Sequence, residues 1–381
     1  MFLRGCCLIF VIYAVVDGKY EENNAKNVLL IVSDDGGFEM GAYRNKICQT
    51  PNLDALAKQS LIFNNAYTSV SSCSPSRSAI LTGLPSHQNG MYGLHQGIIG
   101  KKHVGPSYVY PFNYAETEEN NPIMQVGRNI TKIKLLVREF LRQNSSEPFF
   151  LYVAFHDPHR CGHTNPEYGM AEPLLISSPR PGDRHNEVTY SMTSLLDIVP
   201  TVLDWFNISY SSFKPFLTGK SLLPLLEKEP VKDKRAVYAS HSHHEVTMYY
   251  PMRAVRTKRY KLIHNLNYKM PFPIDQDFYL SPSFQDLLNR TRSKQPLYWY
   301  KTLKEYYYRN EWELYDLKLD ADELNNVATK LVYKDVFVKL KSLLHEWQKA
   351  TEDPWLCAPG GVLEAAGTFK KQPQCLPLDN F

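Results

Sequence analysis

The 381-residue sequence predicts a layered α/β domain followed by a smaller α+β domain. Three observations predict it. Short continuous apolar runs, Asn27–Ser33 and Phe149–Phe155, read as buried parallel strands. They alternate with amphipathic stretches such as Ile130–Gln143, the pattern of a sheet covered by helices. Beyond about residue 230 the pattern changes to closely spaced short strands and one long helix. Apolar residues make up 43% and charged residues 22%, ordinary globular usage that excludes a disordered or repeat-built chain. Lys and Arg total 43 against 39 Asp and Glu, and a net charge of +4 gives no argument for nucleic acid.

Taken in order, the elements begin with Arg4 and an apolar run from Cys6 to Val16, too short to span a bilayer. It reads as a secretory leader over residues 1–20, cleaved near Asp17–Tyr20, with a buried N-terminal strand as the alternative. No later apolar run is long enough to cross a membrane, so a lumenal or secreted protein is expected. Asn27–Ser33 delivers Asp34-Asp35-Gly36-Gly37 to the carboxyl end of a strand, where such sheets bind ligands. Thr50-Pro51 starts a helix reaching Gln59, with Thr as N-cap and Pro at the first position. Leu61–Ala66 is a second strand, and Cys73–Leu81 enters a helix stopped by Gly83. Ile130–Gln143 is a helix, and Phe149–Phe155 a strand delivering His156–His159. Glu172–Ile176 is a short strand, and Ser191–Phe206 a helix interrupted at Pro200.

This first domain is expected over residues 21–230 and the second over 231–381. Short antiparallel strands are expected at Ala236–Ser240, Met252–Arg256, Tyr260–His264 and Glu313–Asp316. In the helix Leu331–Ala350, Val332, Val336, Leu340, Leu343 and Trp347 share one face. Once the leader is removed five cysteines remain: Cys48, Cys73, Cys161, Cys357 and Cys375. An odd number in an oxidising compartment leaves one unpaired. Cys357 and Cys375, close together in a Pro/Gly-rich tail, form the expected disulfide. Asn129, Asn144, Asn207 and Asn289 open glycosylation sequons.

The chemistry centres on Cys73-Ser74-Pro75-Ser76-Arg77, followed by Leu81-Thr82-Gly83. Cys and Arg four apart at a helix start share a face. A helix N-terminus favours an anion, and Arg holds a tetrahedral oxyanion in a bidentate fork. The chain here resembles the sulfatase family, whose signature is Cys-X-Pro-X-Arg followed by Leu-Thr-Gly. The resemblance covers nearly all of the chain beyond the leader and implies an alkaline-phosphatase-like layered sheet. It implies that the formylglycine-generating enzyme oxidises Cys73 to Cα-formylglycine. One hydroxyl of the hydrated aldehyde then attacks sulfur, and the other expels sulfate. It also implies one divalent cation, usually calcium in this family, held by Asp34, Asp35 and residue 73. Gly100-Lys101-Lys102-His103 resembles the next family block, so Lys101 would steady a sulfate oxygen and His103 the diol. His159 resembles the family's leaving-group histidine.

A narrower resemblance runs through Gly93–His103, His156–His163, Ser242–Met252, Asn265–Tyr279 and Trp312–Asp316. It is to the branch of the family that cuts the N–S bond of a non-reducing-end N-sulfoglucosamine in heparan sulfate. It implies a heparan sulfate oligosaccharide as substrate, residence in the lysosome and a homodimer. Asp157, His243, His244, Glu245 and Arg253 are then candidate substrate contacts, with capped-turn or structural roles as the alternative.

Two family blocks are missing. Gln96 runs straight into Gly97, where the family has a helix and the start of a strand. Tyr168-Gly169-Met170 joins directly to Ala171, where the family has a core strand ending in Asp-Asn-Gly. That block carries the other two metal ligands, a basic sulfate contact and a cysteine that would pair with Cys161. Only Asp379-Asn380, in the tail and with no strand before it, matches Asp-Asn. Weak metal binding, open strand edges and a free Cys161 are expected. Two further readings follow. Phosphoryl transfer on the same fold is one, against which Cys73 in place of Ser or Thr argues. The other is a non-catalytic heparan sulfate binder or a nonfunctional truncated isoform.

Overall fold

A computed structural model describes residues 10–13, 27–34, 36–92, 104, 109–117, 127–143, 148–156, 170–243, 248–274 and 276–378. They fall into two units, one gathering Phe2–Leu84 with Leu94–Arg235, the other Pro85–Gly93 with Ala236–Phe381.

The first unit is built on β1 (Phe10–Tyr13), β2 (Val28–Val32), β3 (Leu61–Phe63), β4 (Ala66–Tyr67), β5 (Phe150–Ala154), β6 (Leu174–Ile176), β7 (Glu187–Thr189) and β8 (Thr193–Ser194). Six of these form one sheet in the order β5-β2-β1-β6-β3-β7, while β4 and β8 pair separately. β2 and β5 run parallel in register from Val28 opposite Phe150 to Val32 opposite Ala154. Val28, Leu30, Val32, Leu61, Phe63, Leu174 and Ile176 pack with Ile80, Leu195, Ile198 and Leu222 into the core. Burying each such side chain stabilises by about 1.5–3 kcal/mol.

The longer helices among the described residues of this unit are α1 (Pro51–Ala57), α2 (Cys73–Thr82), α3 (Ile130–Gln143) and α4 (Ile198–Trp205). Thr50 stands at the α1 N-cap, but its hydroxyl accepts from Gly41 N at 3.1 Å and donates to Asp54 Oδ1 at 3.1 Å instead of capping. α2 ends at Gly83, whose φ of 71° is the left-handed conformation that glycine adopts freely. A Cβ there would also stand 3.0 Å from Val199 Cβ.

Phe10–Tyr13, inside the expected leader, forms an inner strand of the full chain, antiparallel to β2 and parallel to β6. Phe-Val-Ile-Tyr suits a strand as well as a leader, so composition alone does not separate them. Leu61–Ala66 divides at an Asn64-Asn65 turn. The helix expected over Ser191–Phe206 begins only at Ile198. A capping box precedes it, with Asp197 Oδ2 accepting from Ser194 N at 2.8 Å and Ser194 Oγ from Leu196 N at 3.2 Å. Pro200 therefore falls in the first turn of α4, where its missing N–H costs nothing.

In the second unit β9 (Val237–His243), β10 (Tyr249–Arg256), β11 (Tyr260–Asn265) and β12 (Trp312–Asp316) form an antiparallel sheet in the order β12-β11-β10-β9. α5 (Lys334–Ala350) packs on it through Leu340, Leu344 and Trp347, against Val255, Leu262 and Leu314. Val332, expected on that buried face, is 83% exposed. Leu331–Tyr333 is a 3-10 turn, which rotates Val332 out of phase with the helix. Trp347 stacks on Tyr238 at 5.0 Å and meets His87 edge-on at 5.2 Å. The Cys357–Cys375 disulfide is present with Cα atoms 5.5 Å apart, tying the turn that leads into β13 (Gly361–Glu364) to β14 (Gln374–Pro377), which pairs with β13. Among the described residues no helix is long and apolar enough to cross a membrane.

Candidate active site

α2 carries polar side chains into the interior: Ser74, Ser76, Arg77 and Ser78 are all buried, as is Cys73 in its first turn. Buried polar groups need partners, and this helix finds them in the surrounding segments. Ser76 Oγ and Thr68 Oγ1 share a 2.8 Å hydrogen bond, as do Ser78 Oγ and Tyr110 Oη. Arg77 Nη1 donates to Tyr152 Oη at 3.0 Å, and Arg77 Nη2 lies 3.4 Å from Asp34 Oδ1.

The sheet explains this convergence. Asp34 stands two residues beyond the end of β2. Tyr152 lies on neighbouring β5, directly opposite Leu30. Adjacent parallel strands thus bring a carboxylate and a phenol to one guanidinium, a helical turn from Cys73. The positive end of the α2 dipole lies beside residue 73. Cys73 and Arg77 together offer a nucleophile position and a fixed cation, the elements that hold and attack a tetrahedral oxyanion.

The structure brings Arg77 to Asp34 and places Cys73 one helical turn before Arg77. Asp35, Lys101, His103, Asp157, His159, His244 and Glu245 lie outside the described residues, as do Cys161, Asn144 and Asp379-Asn380. His243 ends β9, half-buried and opposite Tyr249. Asn129, Asn207 and Asn289 are exposed, and so is Cys48.

Arg253, a candidate sugar contact, is corrected to a structural role. Its side chain is fully buried, with Nε and Nη2 donating to Asp353 at 2.6 and 2.9 Å. Nη1 donates to the carbonyls of His241 and Met252. Trp355 covers the guanidinium at 5.0 Å. Despite its burial, the Asp353 carboxyl is held below its usual range by the Arg253 hydrogen bonds and charge.

Of the expected metal ligands the described residues include Asp34 and residue 73, while Asp35 lies outside them. Calcium takes about six to eight oxygen ligands. Among the described residues no three His, Cys, Asp or Glu side chains gather where a metal could bind. Asp34, an expected ligand, faces Arg77.

Tyr152 and Tyr110 were not legible as site residues. Tyr152 sits in an apolar strand, and its only sequence signal is one hydroxyl in Phe-Leu-Tyr-Val-Ala. Asp353 was missed because its partner lies 100 residues away.

Residues 26–108 match the family model "Sulfatase", and residues 165–274 match "N-sulphoglucosamine sulphohydrolase, C-terminal". The chain is 44% identical to human N-sulphoglucosamine sulphohydrolase, covering 99% of this chain and 98% of the relative. That alignment runs over 505 positions, of which a 381-residue chain fills at most 381, so at least 124 belong to the relative alone. The relative thus carries at least that many residues that this chain lacks across the aligned span. An ulvan-active sulfatase of Formosa agariphila is 23% identical, covering 88% of this chain and 83% of that one. Among solved structures, a protein in complex with its substrate D-glucosamine-2-N,6-O-disulfate superposes with a TM-score of 0.61. It is 16% identical, with 87% of this chain and 99% of that one covered. A 2-O glycosaminoglycan sulfatase gives 0.56, also at 16% identity, with 87% and 94% covered. At such identities the structures establish the fold alone.

Proposed function

The chain belongs to the sulfatase family, and from that premise we propose that it hydrolyses the N–S bond of a non-reducing-end N-sulfoglucosamine of heparan sulfate. The observation that carries this is the 44% identity to human N-sulphoglucosamine sulphohydrolase across nearly the whole of both chains. Water and the sulfamate would give the free amine and sulfate.

Oxidation of Cys73 by the formylglycine-generating enzyme would supply an aldehyde whose hydrate is the nucleophile. Arg77, fixed by Asp34 and Tyr152, would hold position 73 and its anionic partner in one orientation. Lys101 would carry a sulfate oxygen, His103 would manage the proton of the diol, and His159 would give a proton to the departing amine. Asp34 and Asp35 would be the protein's contribution to a metal site, with calcium as the family's usual ion. Asp157, His243, His244 and Glu245 would face the sugar. Glycosylation at the exposed sequons, passage through the secretory pathway to the lysosome and a homodimeric state belong to the same proposal.

A second reading is favoured by the missing blocks: this form binds the sulfated sugar without turning it over. Mass analysis of the peptide containing residue 73, with sulfate release from an N-sulfoglucosamine oligosaccharide, tests both. The primary reading expects the aldehyde mass and release abolished by Cys73→Ala. Retained heparan sulfate binding with no sulfate release would establish the second reading instead.

A further inference from the structure

The missing sequence and the unexpected strand meet at one place. β6 begins at Leu174, four residues after Met170, where the second family block is lost. The strand beside it is β1, from the far N-terminus: Phe10, Val11 and Ile12 pair in parallel with Leu174, Leu175 and Ile176. On its other side β1 pairs antiparallel with β2, Ile12 opposite Leu30 and Tyr13 opposite Leu29. Without β1 the sheet is two pieces, β5-β2 and β6-β3-β7. Leu30, Leu174, Leu175 and Ile176 are all buried there. Backbone N–H and C=O groups on two facing edges would lose their partners inside the protein, which native structures avoid.

We propose that the gap between β2 and β6 is a strand-acceptor site for an extended apolar segment. It is filled in this chain by Phe10–Tyr13. The geometry is strand addition to both edges at once: backbone hydrogen bonds provide the affinity, and a slot four residues long sets the register. The apolar run that reads as a leader is then also a structural part. Cleavage near Asp17–Tyr20 followed by loss of the fragment takes an inner strand out of the sheet. Leader removal and folding of this form compete for the same residues.

The test uses the full chain with a specific protease site in place of Asp17–Tyr20. After folding and cutting, the N-terminal fragment is expected to stay bound through gel filtration and to leave only on denaturation. Ile12→Pro, which removes a ladder N–H, is expected to speed its release by about tenfold or more. Fragment loss without any change in the melting temperature of the remainder overturns the proposal. A second measurement does not depend on the cut. Ile12→Cys with Leu30→Cys joins residues paired in register, so oxidation of the full chain is expected to give that cross-link, seen by peptide mapping. The same yield from Ile12→Cys with Val28→Cys, two residues out of register, overturns it, as does no cross-link at all. A soluble chain lacking residues 1–20 beside an insoluble full chain overturns it too.

Discussion

Asp34 Oδ1 lies 3.4 Å from Arg77 Nη2, with both side chains wholly withdrawn from solvent. The contact ties the end of β2 to the helix that begins at Cys73. It also means that a carboxylate the family would turn toward a metal is engaged by an arginine.

Arg77→Ala is expected to destabilise the chain by about 3–5 kcal/mol, because it leaves a buried carboxylate without its cation. Arg77→Lys keeps the charge and loses the planar fork, so an intermediate loss is expected. Tyr152→Phe removes one hydrogen bond and should cost about 1 kcal/mol. Urea midpoints compare the three. Equal losses for Arg77→Ala and Tyr152→Phe would show that the Asp34 pairing contributes little.

Asp353→Ala strands Arg253 in the second unit in the same way, and a loss of about 3–5 kcal/mol is expected. Replacing both partners by well-packed apolar residues, Arg253→Met with Asp353→Leu, is expected to recover much of that loss. Denaturant midpoints of the single and double variants form the cycle. A double variant as unstable as the single one would contradict the assignment of Arg253 to a buried pair.

His87 gives the second unit a pH dependence. Its ring is buried, with Nε2 2.8 Å from Thr351 Oγ1. Burial lowers its pKa from 6.5 to about 4, the Asp353 charge opposing the shift and the Arg253 charge adding to it. Between these values the unfolded chain binds the proton and the folded chain does not. Stability is therefore complete above pH 6.5 and declines as pH falls toward 4, with about 2 kcal/mol lost from this group at pH 5. His264, lowered to about 3 chiefly by burial, acts in the same direction. Thermal melts of His87→Gln across pH 4.5–7.5 should show a shallower dependence than the parent. An identical slope would remove His87 as the source.

The Cys357–Cys375 bridge closes a loop of 18 residues in sequence separation, for which chain entropy gives about 3 kcal/mol. Cys357→Ser with Cys375→Ser should lower the melting temperature by several degrees and increase amide exchange at Val362 and Leu376, which pair between β13 and β14. Exchange at those amides unchanged by reductant would mean the ribbon holds without its staple.

What the sequence reveals depends on how far each cause extends along the chain. β2, β5 and α2 announce themselves through local apolar runs and a five-residue motif. Cys357–Cys375 is legible because its partners are near each other. Tyr152 and Asp353 were hidden because their roles come from register and packing between distant segments. Val332 was misplaced because a 3-10 turn breaks the 3.6-residue phase just before α5 begins. β1 lies inside the expected leader, because the same apolar residues suit both roles.

The strand order of the first unit sets the timing of its assembly. Phe10 waits for Leu174, Val28 for Phe150 and Leu61 for Glu187. β9 through β12 are joined largely through neighbours in sequence, β10 to β9 and to β11. Long-range pairing closes slowly and local pairing quickly. During synthesis, the N-terminal strands emerge from the ribosome well before their partners exist, whereas the β9–β10–β11 meander can close almost as soon as it is made. The sheet of the N-terminal half is therefore expected to be the slower part to assemble.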